Sequence, residues 1–226
     1  MQGKVIAVTG ASGALGKVVV DAAITRGARA ACINRAVARG DATADRIELG
    51  GVDLTDPAQA LQAIDAAAAH FGRLDVLVNV AGAFAFETVA DGDPKTWQRL
   101  YAINVATALN ASRAAIPHLV ASGAGRIVNI GAIGALQAGV GMGAYAASKA
   151  AVHRLTEALA SELKGKVTVN AVLPSTIDTP ANRRDMPKAD FATWVTADEL
   201  ADVILFLASD AASGVTGALL PVRGRV

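Results

Sequence analysis

The sequence is short of cysteine, of net charge and of any segment set apart from the rest. One of its 226 residues is a cysteine, Cys32, which excludes an internal disulfide and a thiolate metal cluster. In the apolar run "ARAACI" it reads as a buried core thiol in a reducing compartment, and a cytoplasmic location is expected. The formal net charge is +1, so the chain has neither the basic field that nucleic-acid binding needs nor an acidic tail; a small-molecule substrate is the expected partner. The opening "MQGKVIAVTG" is strand-like, with no apolar leader followed by a cleavage site, so no secretion signal is expected. Residues 127–148 carry no charge, but five glycines, Asn129 and Gln137 interrupt them and divide the run into strand, loop and helix start rather than a membrane span. The three histidines, His70, His118 and His153, have neither metal-ligand spacing nor carboxylate partners in the pattern; packing or surface roles are expected, and no metal is assigned. No repeat, low-complexity tract or Pro/Ser linker divides the chain, and 1–226 is expected to be one domain.

What the sequence has in abundance is apolar residues, 53% of the chain against 18% charged, rich in Ala and Gly. Short apolar runs bounded by Gly, Asn or Pro alternate with longer Ala-rich segments of helical period, the pattern of a parallel sheet covered on both faces. Strands are expected near 3–9, 29–34, 46–49, 74–80, 125–131, 167–173 and 216–222, and helices near 14–26, 57–70, 95–121, 144–164 and 197–208. The fold class is therefore α/β, a Rossmann-type doubly wound parallel sheet of about seven strands with helices on both faces. The widest irregular segment, 174–196, follows a strand end, where a substrate lid belongs in an open α/β sheet.

The stretch "VIAVTGASGALGKVVV" runs from a buried strand through Gly10, Gly13 and Gly16 into a helix. Glycines there permit a tight turn and a close approach of backbone N–H groups to a pyrophosphate at the positive helix terminus. Ser12 and Leu15, in the same turn, are counted among the cofactor contacts. At the end of the second strand, where an aspartate would bond the ribose of NAD, stand Asn34 and Arg35. An amide and a guanidinium accept a 2′-phosphate that a carboxylate would repel, so NADP(H) is favoured over NAD(H). The competing reading makes Arg35 and Arg39 solvated loop charges.

"YAASK" sets Tyr145 and Lys149 four residues apart, on one face of a helix, where the ammonium is expected to lower the phenol pKa and make it a proton donor. Thirteen residues ahead of Tyr145, where ketone-reducing enzymes with this pair carry a serine, stands Ala132. A ketone taking up hydride gathers negative charge on one oxygen, and losing one preorganised donor to that oxygen costs about 3 kcal/mol. A conjugated acceptor spreads the electrons over its ring and manages with one phenol, while the Ala132 methyl leaves room for a flat ring.

Together "TGASGALG", "GVDLTD", "LVNVAG", "AINVAT", "YAASK" and "NAVLPSTIDT" resemble the short-chain dehydrogenase/reductase family in order and spacing along nearly the whole chain. The resemblance implies that Asp53 and Leu54 contact adenine, that Asn79, Ala81 and Gly82 line the cofactor, and that Pro174, Ile177 and Thr179 hold its nicotinamide end. It also implies that Tyr145 is the acid/base, that Lys149 binds the nicotinamide ribose, and that Asn104 helps order a proton-relay water. Ala14 in the glycine turn, Ala132, Pro174-Ser175 and the stretch "VLPSTIDTPANRRDMPKADFATW" look, within that family, like the dihydropteridine reductases, which carry an aspartate where this chain has Asn34. The expected activity is reduction of a conjugated or cyclic carbonyl-like or quinonoid acceptor. General ketone or alcohol chemistry, or an inactive NADP(H)-binding regulatory protein, are the alternatives. Arg183, Met186 and Trp194 are candidate substrate contacts in the lid. The apolar faces of 95–121 and 144–164 exceed what one sheet face covers, so a homodimer or homotetramer is expected.

Overall fold

A computed structural model describes residues 1–37 and 42–225; Arg39 lies outside the described residues. Seven strands form one parallel sheet in the order β3-β2-β1-β4-β5-β6-β7. They are β1 (Val5–Thr9), β2 (Arg29–Ile33), β3 (Arg46–Leu49), β4 (Val76–Asn79), β5 (Gly125–Ile130), β6 (Val167–Pro174) and β7 (Leu219–Val222). The order reverses between β1 and β4, which opens a crevice at the carboxyl ends of those strands. Strand residues alternate between two cores. Ile6 and Val8 face α1 (Ala14–Thr25) and α7 (Ala197–Leu207), whereas Val5 and Ala7 face α2 (Pro57–Phe71), α4 (Thr107–Ala121) and α5 (Gly143–Glu162). Cys32 is buried in the first of these cores, and burial pushes its thiol up to about 12, as an inert core thiol requires. Among the described residues no helix is long and apolar enough to cross a membrane.

Helix starts follow local chemistry. Asp56 caps α2 and Asp93 caps α3 (Pro94–Tyr101), each followed by proline, while Thr196 and Glu199 form a capping box on α7. The start of α1 has no side-chain cap, and its free N–H groups face the crevice side of the sheet.

The structure corrects the expected elements in four places. The helix expected over 95–121 is α3 and α4 joined through a π-helical segment, Ala102–Ala106, which carries Asn104. An inserted residue of that kind leaves no glycine or proline signal, and such segments recur at functional sites. The strand expected over 74–80 is confined to Val76–Asn79; Asp75, just before it, bonds both neighbouring strands through its backbone, its N–H donating to the Val5 carbonyl and its carbonyl accepting the Arg126 N–H, both at 2.9 Å, and its carboxylate accepts the Val5 N–H at 2.8 Å. The last strand begins at Leu219 rather than 216, since Thr216 and Val215 are spent on bonds to Val169 and Asn170. The segment 174–196 contains a short helix, α6 (Pro180–Asp185), started by Thr179.

Candidate active site

Tyr145, Lys149 and His153 succeed one another at four-residue spacing along α5, facing the end of β5. Lys149 is 6% exposed, and its Nζ donates to the Ile130 carbonyl at 2.7 Å. Burial pulls its pKa down to about 8. The Tyr145 ring meets Phe84 edge to face with centroids 4.9 Å apart, and burial pushes its hydroxyl up to about 12. The expected lowering of the phenol by the ammonium is thus not what the structure has: Lys149 is drawn to the carbonyl, and desolvation acts on the tyrosine unopposed.

Asn104, 1% exposed, braces the loop after β4. Its Nδ2 donates to the Ala83 carbonyl at 3.0 Å and to Ser148 Oγ at 2.9 Å, while Oδ1 accepts the Ala83 N–H at 2.8 Å. Both amide hydrogens are spent, so toward any water of the expected relay the side chain could act only as an acceptor, through Oδ1. A Cβ at Gly82 would stand 2.8 Å from that oxygen and 3.4 Å from Lys149 Nζ, which explains the glycine.

A cleft of about 660 Å³ opens over Tyr145 and Lys149. Gly82, Ala132, Pro174, Ile177 and Met186, all expected at the site, line it, as does Leu15. The pattern missed Phe84, Phe86, Ile133, Met142 and Asn182; only proximity in sequence to "LVNVAG" and "YAASK" could have suggested the first four. Among the described residues Lys149 is the one charged side chain in the lining. Ala132 presents a methyl where a hydroxyl was looked for, and its N–H donates to His153 Nε2 at 3.3 Å.

Two lid expectations are corrected. Arg183 does not face the cleft, because Asp178 holds it in a bidentate pair at 2.6 and 2.7 Å and Phe191 stacks on its guanidinium at 4.8 Å. Trp194 is buried against Phe191, with ring centroids 4.9 Å apart, and packs the base of the lid. Thr179 caps α6, its Oγ1 accepting the Asn182 N–H at 3.1 Å. His118, expected to lack a carboxylate partner, meets Asp65 at 2.7 Å across α4 and α2.

The chain matches the short chain dehydrogenase family over residues 4–190. It belongs to that family. It is 32% identical to 2-(S)-hydroxypropyl-CoM dehydrogenase 3 of Xanthobacter autotrophicus, over 99% of this chain and 96% of the relative. It is 38% identical to galactitol 2-dehydrogenase (L-tagatose-forming) of Cereibacter sphaeroides, over 99% of this chain and 95% of that one. Among solved structures, 3-ketoacyl-(acyl-carrier-protein) reductase of Brucella melitensis, complexed with NADH, superposes with a TM-score of 0.87 at 28% identity, over 99% of this chain and 98% of the other. The protein is accordingly an oxidoreductase that uses a nicotinamide cofactor.

In this short-chain dehydrogenase/reductase the β1–α1 turn fits such a cofactor. Gly10 has φ +65°, and a Cβ on it would lie 3.0 Å from the Ala81 backbone; a Cβ on Gly16 would lie 2.2 Å from the Gly10 carbonyl. The turn is thereby pressed against the end of β4, with the uncapped α1 N–H groups, beginning after Gly13, left for an anion. Ser12 is tied back by its N–H to Asn34 Oδ1 at 2.7 Å, and Asn34 Nδ2 reaches Glu48 at 3.3 Å, so the amide is largely committed while Arg35 stands exposed beside it. Asp53 accepts from the N–H and hydroxyl of Thr55; these bonds first, and Arg35 after them, hold its carboxyl below the usual range. Two residues expected at the cofactor are buried and bonded within the protein. Asn79 donates to Ser112 at 3.1 Å and Asn129 at 2.9 Å beneath the sheet, and the buried Leu54 packs against α2 and α4, its carbonyl accepting from Asn110 at 3.0 Å.

Burying Lys149 opposes folding. Its folded pKa of about 8 lies below the unfolded value, so the folded protein sheds this proton first and gains stability as pH rises from about 8 through the ordinary lysine range. Lys149→Met is expected to stabilise the cofactor-free protein at pH 7 by about 1–3 kcal/mol, an advantage that shrinks toward pH 10. Urea unfolding at both pH values measures it; a destabilised variant at pH 7 would show that the Ile130 bond outweighs the desolvation.

Proposed function

We propose that the protein is an NADP(H)-dependent reductase of an uncharged conjugated or cyclic acceptor of carbonyl-like or quinonoid type. The observation that carries this reading is the cleft itself, apolar and aromatic-walled, with Tyr145 as its acid and a methyl at Ala132. When bound, the nicotinamide supplies the hydride. The α1 N-terminus would hold the pyrophosphate, Arg35 the 2′-phosphate, Lys149 the ribose, and Pro174 with Ile177 the nicotinamide end. Tyr145, with its hydroxyl at about 12, keeps its proton until the acceptor becomes negative and then delivers it, which suits reduction better than oxidation. Phe84, Phe86, Met142 and Met186 offer flat and adaptable walls to a ring. The likeness of the lid to that of the dihydropteridine reductases supports the same reading, as does a cleft lining without carboxylates among the described residues, which selects by shape rather than by charge. Residues 1–226 act as one domain under the lid near 174–196, in the cytoplasm, where the lone Cys32 stays reduced. General ketoreductase or alcohol dehydrogenase activity is the second reading, favoured by the names of the relatives above.

A substrate panel following NADPH absorbance separates them. Tyr145→Phe is expected to abolish turnover with cofactor affinity nearly unchanged, and more than about a tenth of the wild-type rate would sink the acid assignment. Ala132→Ser should gain little on a delocalised ring but about tenfold in kcat/KM on simple ketones. An equal gain on both classes removes the basis for the delocalised acceptor.

NADPH is expected to bind more tightly than NADH, and Arg35→Asp to narrow or reverse the preference. A wild-type preference for NADH, by fluorescence titration, would mean that Asn34 serves the ribose and Arg35 the solvent.

Two chains are expected to pair along α4 and α5, near the exposed Trp97 and Tyr101 of α3, as a homodimer or as a homotetramer built from it. Light scattering at micromolar concentration that finds only monomer refutes this.

A further inference from the structure

His153 is the side chain most directly tied to the place where a serine was looked for. It is 2% exposed, and its Nε2 accepts the Ala132 N–H at 3.3 Å, which puts the ring proton on Nδ1. Burial first, then the Arg154 and Lys149 charges, pull its pKa down to about 4, so the imidazole is a neutral acceptor over the working range. Gly131 is matched to it: a Cβ there would stand 2.5 Å from Nε2. The three residues at the cleft floor are thus anchored in turn, Ile130 by Lys149 Nζ at 2.7 Å, Gly131 by the Val172 carbonyl at 2.9 Å, and Ala132 by His153. Ala132 lies past the end of β5 and has no ladder partner for its N–H, so without the imidazole that donor would be buried and unpaired.

We infer that His153 is a positioning residue: by holding the Ala132 N–H it sets how the cleft floor carries the acceptor against the Tyr145 hydroxyl. The inference rests on reading the cleft as the acceptor site and Tyr145 as the donor. An acceptor is needed at that depth, and imidazole supplies it without adding a second cation beside Lys149. A floor held from beneath places a flat ring without a hydroxyl reaching up to it, which is how the site works with alanine at 132.

The test compares His153→Leu, which keeps bulk but removes the acceptor, with His153→Gln, whose amide oxygen restores one. Three readouts are taken: exchange of the Ala132 amide hydrogen in the cofactor-free protein, NADPH affinity, and kcat and KM on the best acceptor of the panel. In the leucine variant the amide is expected to exchange at least about tenfold faster and kcat to fall about tenfold, with cofactor Kd within about twofold of wild type. The glutamine variant should recover most of both. Gly131→Ala, which displaces the imidazole from the strand side, should copy the leucine variant and keeps the test decisive where that variant does not fold. Unchanged kcat in His153→Leu, equal damage by Leu and Gln, or a kcat loss that follows lost cofactor affinity each overturns the inference. Amide exchange needs no turnover, so failure to find an acceptor would count against the proposed function alone. An Ala132 amide as fast in the wild type as in His153→Leu would count against His153 alone.

Discussion

Lys149 carries a full ammonium into the floor of the cleft and has, among the described residues, one hydrogen-bond partner, the Ile130 carbonyl at 2.7 Å. Taking that charge out of water is expensive, and a single neutral acceptor offsets only part of the cost. Much around it follows from housing the charge. The end of β5 must present a carbonyl to α5, Gly82 must lack a Cβ, and α5 must lie close enough for a lysine to reach the strand. The sheet core supplies the stability against which this local penalty is set, through strands whose both faces are covered by helices.

The second constraint is the kinked passage from α3 to α4. A π-helical turn puts Asn104 at the depth of the loop after β4, where its amide takes both the N–H and the carbonyl of Ala83 and also reaches Ser148 on α5. Ser148 Oγ in turn donates to the Tyr145 carbonyl at 2.7 Å. Three parts of the chain, distant in sequence, are held together around the tyrosine by side chains that do not themselves line the cleft. Under the proposed function, rigidity of this kind would let one phenol do work that other sites divide between two hydroxyls.

How much of this could be read in the sequence depended on range. The β1–α1 turn was legible because each glycine answers a local demand, a positive φ at Gly10 or a close approach at Gly16. The parallel sheet was legible from apolar runs of strand length, and "YAASK" from a spacing that any helix converts into one face. Pairings across the fold were not. Nothing near Arg183 announces that Asp178 will take it bidentately, and nothing in "AAVHRL" says that His153 will meet Ala132. The tyrosine pKa was hidden for the same reason: helix spacing brings the ammonium near, but a strand carbonyl outside the pattern claims it. Asn79 and Leu54, expected at the cofactor, are buried, a depth that the local pattern does not show, since strand-end and loop residues alternate between core and crevice and register decides which.

The segment 174–196 is fastened by its own side chains and backbone. Asp178 pairs with Arg183, Ile177 bridges to Val195, and Phe191 lies between the guanidinium and Trp194. A segment built this way surrenders its conformational freedom during folding, so under the proposed function an incoming acceptor does not have to supply the ordering entropy. On that reading binding reports the fit of the molecule to the walls, and a small ligand with few polar groups could be held by a site that would otherwise spend its contacts on closing a loop.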